Sequence, residues 1–283
     1  MKNSAFKSYL PALLIWMASL FLLFGCASAP QPQSASDKAT SQAAAAEQRQ
    51  SVLKVGVSTN APPLIYKQGD EVIGLEAELA REFAKSIGKS VEFVELAWTD
   101  QIPALLDKRT DIIMSGMTIT QKREYRIAFS SPYFRSGQMV MVRGKDKNRY
   151  PTGFYGIRGQ SLTQTIGVVK GTTGEQFVRK NFGQAKKISS YDSSQRAVKA
   201  LSTIIEVSRI DMLIHDGPIL MMLAAQNETK DLAILPDLLT EEYLAWGIRK
   251  TDPALLNAAN QFIEKLKSEG RLNPIIKRWI PYM

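Results

Sequence analysis

The chain is poor in the side chains that carry most metal and nucleophile chemistry. Its 283 residues include one cysteine, Cys26, and one histidine, His215. One histidine cannot build a multi-histidine metal site, and one cysteine forms neither an internal disulfide nor a cysteine-ligated zinc centre. No metal or cofactor is expected. Charge is not concentrated either. The formal net charge is +9, but the basic residues are scattered among acids and follow no nucleic-acid module pattern. A solvated basic surface accounts for them, and nucleic acid is not expected as a partner. What remains is an ordinary globular composition, 45% hydrophobic and 22% charged, long enough for one large or two modest domains.

Only one long apolar run is present, LPALLIWMASLFLLF from Leu10 to Phe24, behind a polar start carrying Lys2 and Lys7. A positive start, an apolar run short for a membrane span and a small-residue site read as a secretory leader over 1–25. Cys26 follows Gly25, and a small residue before cysteine resembles the bacterial lipoprotein box, in which the leader is removed and the thiol receives lipid. The alternative is an uncleaved anchor with an incidental cysteine. Either way the body lies outside the cytoplasmic membrane, in the periplasm or at the cell surface, anchored to a membrane. Acylation of Cys26 leaves the body no thiol nucleophile, and loss of Lys2 and Lys7 lowers the formal charge from +9 to +7. Residues 27–50, ASAPQPQSASDKATSQAAAAEQRQ, have almost no large apolar side chains to offset their ordering entropy. With Cys26 they read as a disordered tether, reaching about 80 Å at roughly 3.3 Å per residue.

From Ser51 onward, short apolar runs alternate with amphipathic helices. VLKVGVS (52–58), VEFVEL (91–96), DIIMS (111–115), QTIGVVK (164–170), DMLIH (211–215) and LAILP (232–236) read as strands. Leu75, Leu79, Phe83 and Ile87 share one helical face, with Gly88 as the stop. Asp252 caps a helix that has Pro253 at its first position, faces Leu255, Ala259, Phe262, Ile263 and Leu266 inward, and ends at Gly270. The alternation predicts an α/β architecture with a largely parallel sheet in each of two units. The chemistry of such sheets gathers at the carboxyl ends of the strands.

Three of those ends are unusual. In SGMTITQKR, Gly116 permits a sharp turn that leaves amides and the hydroxyls of Ser115, Thr118 and Thr120 free to donate. Arg123 follows, and its planar fork matches a carboxylate. A capping threonine and a solvent-facing arginine would explain the same letters. KGTTG (170–174) opens a helix and offers amides to an anion, unless it is a plain strand-to-helix turn. HDGP places Asp216 either as a helix N-cap before Pro218 or as an anion aimed into a crevice. His215 and Asp216 invite a catalytic reading, but neighbours on a strand end point to opposite sides and are poorly placed to pair. Together the three places offer a fork and an amide nest for a carboxylate and an anion for an amine, the complement of an α-amino acid zwitterion. Trp98 adds a stacking surface, or is an ordinary core tryptophan.

With these residues in view, the chain resembles the family 3 extracellular solute-binding proteins, the polar amino acid receptors of ABC transporters. The resemblance covers Leu53 to Ile280. It rests on LKVGVSTNAPPLIY followed by GLEAELA, on WTDQIPALLDKRTDIIMSGMTITQKREYRIAFSSPYF, on GVVKGTTGEQF and on EEYLAWGIRK. Glutamine-binding members share the lysine–glycine loop and the HD pair. The resemblance implies a periplasmic-binding-protein type II fold, with lobe 1 at 51–132 and 244–283, crossing segments at 133–137 and 239–243, and lobe 2 at 138–238. It implies that Arg123 clamps the ligand carboxylate, Gly116 and Thr118 add backbone and hydroxyl contacts, and Asp216 holds the ammonium. Trp98 would cover the ligand, Thr173 and Gly174 would close from the second lobe, and Lys170 would sit at the pocket edge. The implied partners are an amino acid, a membrane permease with its cytoplasmic ATPase and the membrane itself, and the protein is expected to be a monomer.

Two departures bear on the ligand. Ser58 stands where the family often has an acid, and Ala61 where it often has an aromatic. The side-chain end of the pocket is therefore expected to be roomier and without a nearby anion. Arginine and lysine are disfavoured, and Lys170 favours a polar or acidic side chain such as that of glutamine or glutamate. Two alternatives from other classes resemble the chain less well. A cyclohexadienyl or arogenate dehydratase on this scaffold needs a general acid in the cleft, and after Asp216 no carboxylate appears until Glu228. A ligand-sensing subunit of a signalling system would need a separate partner. The stretch 148–164 fits no usual connection.

Overall fold

The computed structural model describes residues 52–282; the leader, Cys26 and the tether lie outside the described residues. The first unit contains β1 (Val52–Val57), β2 (Asn60–Ala61), β3 (Ile65–Gln68), β4 (Glu71–Ile73), α1 (Leu75–Ser86), β5 (Ser90–Glu95), α2 (Gln101–Leu106), β6 (Ile112–Ile113), α3 (Gln121–Glu124) and β7 (Ala128–Phe129). After β8 (Phe134–Ser136) the second unit runs through β9 (Gln138–Arg143), α4 (Gly153–Gln160), β10 (Thr165–Val169), α5 (Thr173–Asn181), β11 (Lys187–Tyr191), α6 (Ser194–Ser202), β12 (Met212–Asp216), α7 (Gly217–Ala225) and β13 (Leu232–Leu235). The chain returns through β14 (Glu242–Leu244) to β15 (Gly247–Ile248), α8 (Pro253–Ser268) and α9 (Leu272–Trp279) in the first unit.

Each unit is built on one five-stranded sheet, in the orders β5-β1-β6-β15-β7 and β11-β10-β12-β9-β13. The local reasons are ordinary. Strand β1 buries Leu53, Val55 and Val57 while Lys54 faces out. Helix α1 buries Leu75, Leu79 and Phe83 and stops before Gly88, whose φ of 69° ends the turn. Helix α8 starts on Asp252, whose side chain accepts the Leu255 N–H at 3.1 Å, with Pro253 behind it.

The sheets are largely parallel, as expected, with one antiparallel strand in each. Four strands of each share one direction, and only the strand entered directly from a crossing, β15 in the first sheet and β9 in the second, runs the other way. The reason is topological: a strand that enters a unit directly from a crossing segment has no helical crossover to turn it parallel. Strands β8 and β14 pair with each other, Leu244 opposite Phe134 and Glu242 opposite Ser136, so both crossings are one hydrogen-bonded ribbon. The stretch 148–164 forms α4. Gly153 N–H donates to Asp237 at 2.8 Å, and the Phe154 ring packs on Phe177 and Phe182, closing one end of the second core. The first core centres on Trp246, fully buried, with Phe83, Tyr133 and Phe262 rings 5.4 to 6.1 Å away.

Candidate functional site

The residues that follow or end β1, β6, β10 and β12, namely Ser58, Ser115, Val169 and Asp216, line one cavity between the two units. Asn60, Ala61, Trp98, Gly116, Thr118, Arg123, Thr172, Thr173, Asp192, Ser194, His215 and Ile219 complete it.

Arg123 is placed by a local device. Thr120 caps α3, its hydroxyl accepting the Arg123 N–H at 3.3 Å, which turns the side chain back under the cavity, where the residue is 7% exposed. Nη1 donates to the Thr118 carbonyl at 2.8 Å and Nη2 to the Gly171 carbonyl at 3.5 Å, while the guanidinium lies 5.3 Å from the Trp98 ring centre. Burial lowers its pKa from the ordinary value, and Asp216 and Glu242 act against that. No carboxylate forms an ion pair with it among the described residues, so a buried cation stands beside a cavity without a direct counter-ion.

Asp216, at the end of β12, is the anion on the opposite side. Its Oδ1 accepts the Gln138 Nε2–H at 2.8 Å. It occupies the N-cap position of α7, yet its side chain makes no capping bond, so the capping alternative is not the one realised. His215 Nδ1 lies 3.2 Å from Asp216 Oδ2, closer than alternation along a strand suggests, although that nitrogen has no partner in hydrogen-bond geometry. The strand ends at this point, and the turn into α7 brings the two side chains together.

Two further residues organise the site and were not signalled by the sequence. Glu242, on β14, accepts from the hydroxyls of Thr118 and Thr173, both at 2.8 Å, from Gln138 Nε2 at 3.0 Å and from the Thr240 hydroxyl at 3.0 Å. The hydroxyl protons of Thr118 and Thr173 thus point at Glu242, and both oxygens present lone pairs elsewhere. Glu76, fully buried, accepts the Gly116 N–H and the Tyr133 hydroxyl, both at 2.6 Å, and the Trp246 Nε1–H at 3.0 Å. Gly116, at φ 67°, is therefore held from behind, and the amide expected to reach a ligand is engaged by Glu76 instead. Glu242→Ala would strand four donors; urea denaturation should show a loss of about 2–4 kcal/mol, since each unsatisfied buried donor costs about 1–3 kcal/mol and the threonines can re-aim.

The remaining expected residues divide. Ser58 and Ser115 are buried on the wall, Ser58 N–H donating to the Ser115 hydroxyl at 2.9 Å and the Ser58 hydroxyl to the Leu96 carbonyl at 3.1 Å. Trp98 donates from Nε1 to the Gly171 carbonyl at 3.0 Å, which ties the units across the cavity mouth. Thr173 reaches the cavity. Gly174 does not: it packs on Gln138, whose Oε1 would lie 2.5 Å from any Cβ placed there. Lys170 is exposed and outside the lining, because Gly171, at φ 76°, turns the chain before Thr172 points inward. The wall of Asn60, Ala61, Asp192 and Ser194 also carries an anion that was not expected. Asp192 pairs with Arg196 at 3.1 Å, and Ser194 donates to the Asn60 carbonyl at 3.0 Å.

Comparison with known proteins agrees with this layout. Residues 53–282 match the bacterial extracellular solute-binding proteins, family 3. The ABC transporter glutamine-binding protein GlnH of Bacillus subtilis (strain 168) is 27% identical over 279 residues, 97% of each chain. Two solved structures superpose with TM-scores of 0.73: an ancestral arginine-binding protein bound to glutamine, 27% identical and covering 81% of this chain and 97% of that one, and the ancestral amino acid-binding protein AncCDT-1, a precursor of cyclohexadienyl dehydratase, 29% identical and covering 83% and 98%. These neighbours have the two-unit fold of type II periplasmic amino acid-binding proteins. By its sequence match, its paired α/β sheets and its crossing ribbon, this chain belongs to the bacterial extracellular solute-binding proteins, family 3.

Proposed function

We propose that this protein captures an α-amino acid outside the cytoplasmic membrane and delivers it to the permease of an ABC transporter. The observation that carries the reading is Arg123, a buried guanidinium with no carboxylate partner among the described residues, facing one cavity with Asp216 on its other side. A ligand carboxylate completes the arginine as a charge-assisted fork. The ligand ammonium meets Asp216 and the lone pairs of Thr118 and Thr173, whose own protons are directed to Glu242. The units close about the β8–β14 ribbon, Trp98 and Arg123 reaching the Gly171 carbonyl, and the closed form presents the surface a permease reads. A cytoplasmic ATPase supplies the energy. Acylated Cys26 and the tether hold the protein, as a monomer, at the membrane. Among the described residues no helix is long and apolar enough to cross one.

The proposed ligand carries a polar side chain, and glutamine is favoured over glutamate because Lys170, the reason for an acidic one, is outside the cavity. A second reading is a cationic side chain such as that of arginine, favoured by Asp192 on the Asn60–Ser194 wall, where a ligand cation would replace Arg196. Catalysis is the weaker reading. A proton donor would have to be aimed into the cavity, but Asp216 is the anion this reading gives to the ligand ammonium, and buried His215 directs Nδ1 toward Asp216.

A thermal-shift screen of the twenty amino acids tests this. The cognate ligand at a hundredfold excess over its Kd stabilises the protein by about 2.7 kcal/mol, or roughly 5–10 °C in midpoint. Calorimetry then ranks glutamine, glutamate and arginine. A response to none of the twenty sinks the reading, and a response to arginine without glutamine selects the second one.

A further inference from the structure

On the second unit, away from the cavity, the turn between α6 and β12 holds three aliphatic side chains in water. Ile204 is 93%, Ile205 60% and Val207 89% exposed. The turn is built, not frayed. Thr203 Oγ1 accepts the Ile205 N–H at 3.2 Å, the Ser208 N–H and hydroxyl both donate to the Ile205 carbonyl, and the Arg209 N–H donates to the Glu206 carbonyl at 3.2 Å. Beside it lies a shallow depression lined by Lys186, Lys187, Arg196, Lys199 and Arg209, with Glu206 as its one carboxylate. Lys186, Lys187 and Lys199 are exposed and have no carboxylate partner among the described residues, and Arg209 reaches only Asp211, at 4.0 Å.

A protruding aliphatic tip beside unpaired lysines is the pattern of a protein surface that rests on lipid: the cations attract phosphate headgroups and the tip enters the acyl boundary. The leader and tether read from residues 1–50, on which this inference rests, would put a membrane within the body's reach. We propose that the face formed by Ile204, Ile205, Val207, Lys186, Lys187 and Lys199 docks on an anionic phospholipid surface, holding the body against the membrane while the cavity remains free. The proposal is independent of which ligand the cavity takes.

The test uses the full chain with vesicles of phosphatidylcholine alone or mixed with phosphatidylglycerol, reading amide hydrogen exchange over 203–209. Because the readout is local, insertion of the N-terminal run does not mask it. Exchange is expected to slow about fivefold or more on anionic vesicles at low salt, to be unchanged on neutral ones, and to recover at high salt. Lys186→Glu with Lys187→Glu and Lys199→Glu removes the slowing, and Ile204→Ser with Val207→Ser weakens it; all five positions are exposed, and amino acid binding in the cavity serves as the folding control. Equal exchange on the two vesicle types overturns the proposal. So does slowing by inorganic phosphate alone, which would mark a soluble-anion site, or by polyglutamate without lipid, which would mark a docking site for an acidic protein.

Discussion

Arg123→Ala is expected to weaken amino acid binding by about thirtyfold to several thousandfold while leaving the fold in place. Removing one partner of a buried, hydrogen-bonded charge pair costs 2–5 kcal/mol or more, because the other charge is then left desolvated and unmatched. In the proposed function the partner is the ligand carboxylate, so the loss would fall on binding. The free protein loses little. The guanidinium contributes one 2.8 Å bond to the Thr118 carbonyl, a long one to Gly171 and its contact with Trp98, and its burial as a cation already works against folding. Stability without ligand should therefore stay within about 1 kcal/mol. Arg123→Lys keeps the charge and loses the fork, and should fall between the two proteins in affinity. Calorimetry of the three proteins with the same ligand, beside their urea midpoints, decides. Unchanged affinity in Arg123→Ala would falsify the clamp.

Glu76→Ala is expected to act on the fold, not directly on the ligand. The Gly116 N–H, the Tyr133 hydroxyl and the Trp246 indole N–H would all lose their acceptor in the first core. At about 1–3 kcal/mol per stranded donor, a loss of roughly 3–6 kcal/mol is expected, and the Gly116 turn that fronts the cavity loses its support. Burial also pushes the Glu76 carboxyl up from 4.5 to about 7, against the three donors that favour its ionised form. Between those two values the folded state keeps a proton that the unfolded state has released. The stability from this group is thus fully present below about pH 4.5 and is lost as pH rises through about 7, a change of about 3 kcal/mol. Subtracting the pH profile of Glu76→Gln from that of the parent isolates it. A flat difference between pH 4.5 and 7 would show that Glu76 is ionised in the fold throughout.

These two residues differ sharply in how legible they were. Arg123, Asp216, Thr118 and Trp98 lie at strand ends or in the turns after them, where the rule for open α/β sheets says to look, and the letters around them are distinctive. Glu76 sits inside an amphipathic helix at a position that reads as an exposed acid. Glu242 reads as an acid in a surface connection. Their partners lie 40, 57 and 170 positions away for Glu76 and up to 124 away for Glu242, and no local pattern encodes contacts at that range. Gln138 is fully buried and bridges Asp216 and Glu242, yet it begins a strand, β9, that no alternation announced. The position of Lys170 and Gly174 outside the cavity lining has a similar origin. A loop's composition shows that it can bind an anion, but the φ of 76° at Gly171 and the packing of Gly174 on Gln138 decide which side chains face inward.

By itself the sequence determined the periodicities, caps and turns that make the strands and helices, the exclusion of thiol and multi-histidine chemistry in the body, and a set of strand-end residues complementary to a zwitterion. These are local properties, set by side-chain volume, polarity and backbone freedom within a few residues. Tertiary structure alone decided the one antiparallel strand in each sheet, the ribbon that joins the crossings, the hub at Glu242 that turns two hydroxyl protons away from the cavity, and the buried carboxyl behind Gly116. Each of those depends on which distant segments share a low-dielectric interior, where an unpaired donor or charge is costly enough to select one arrangement.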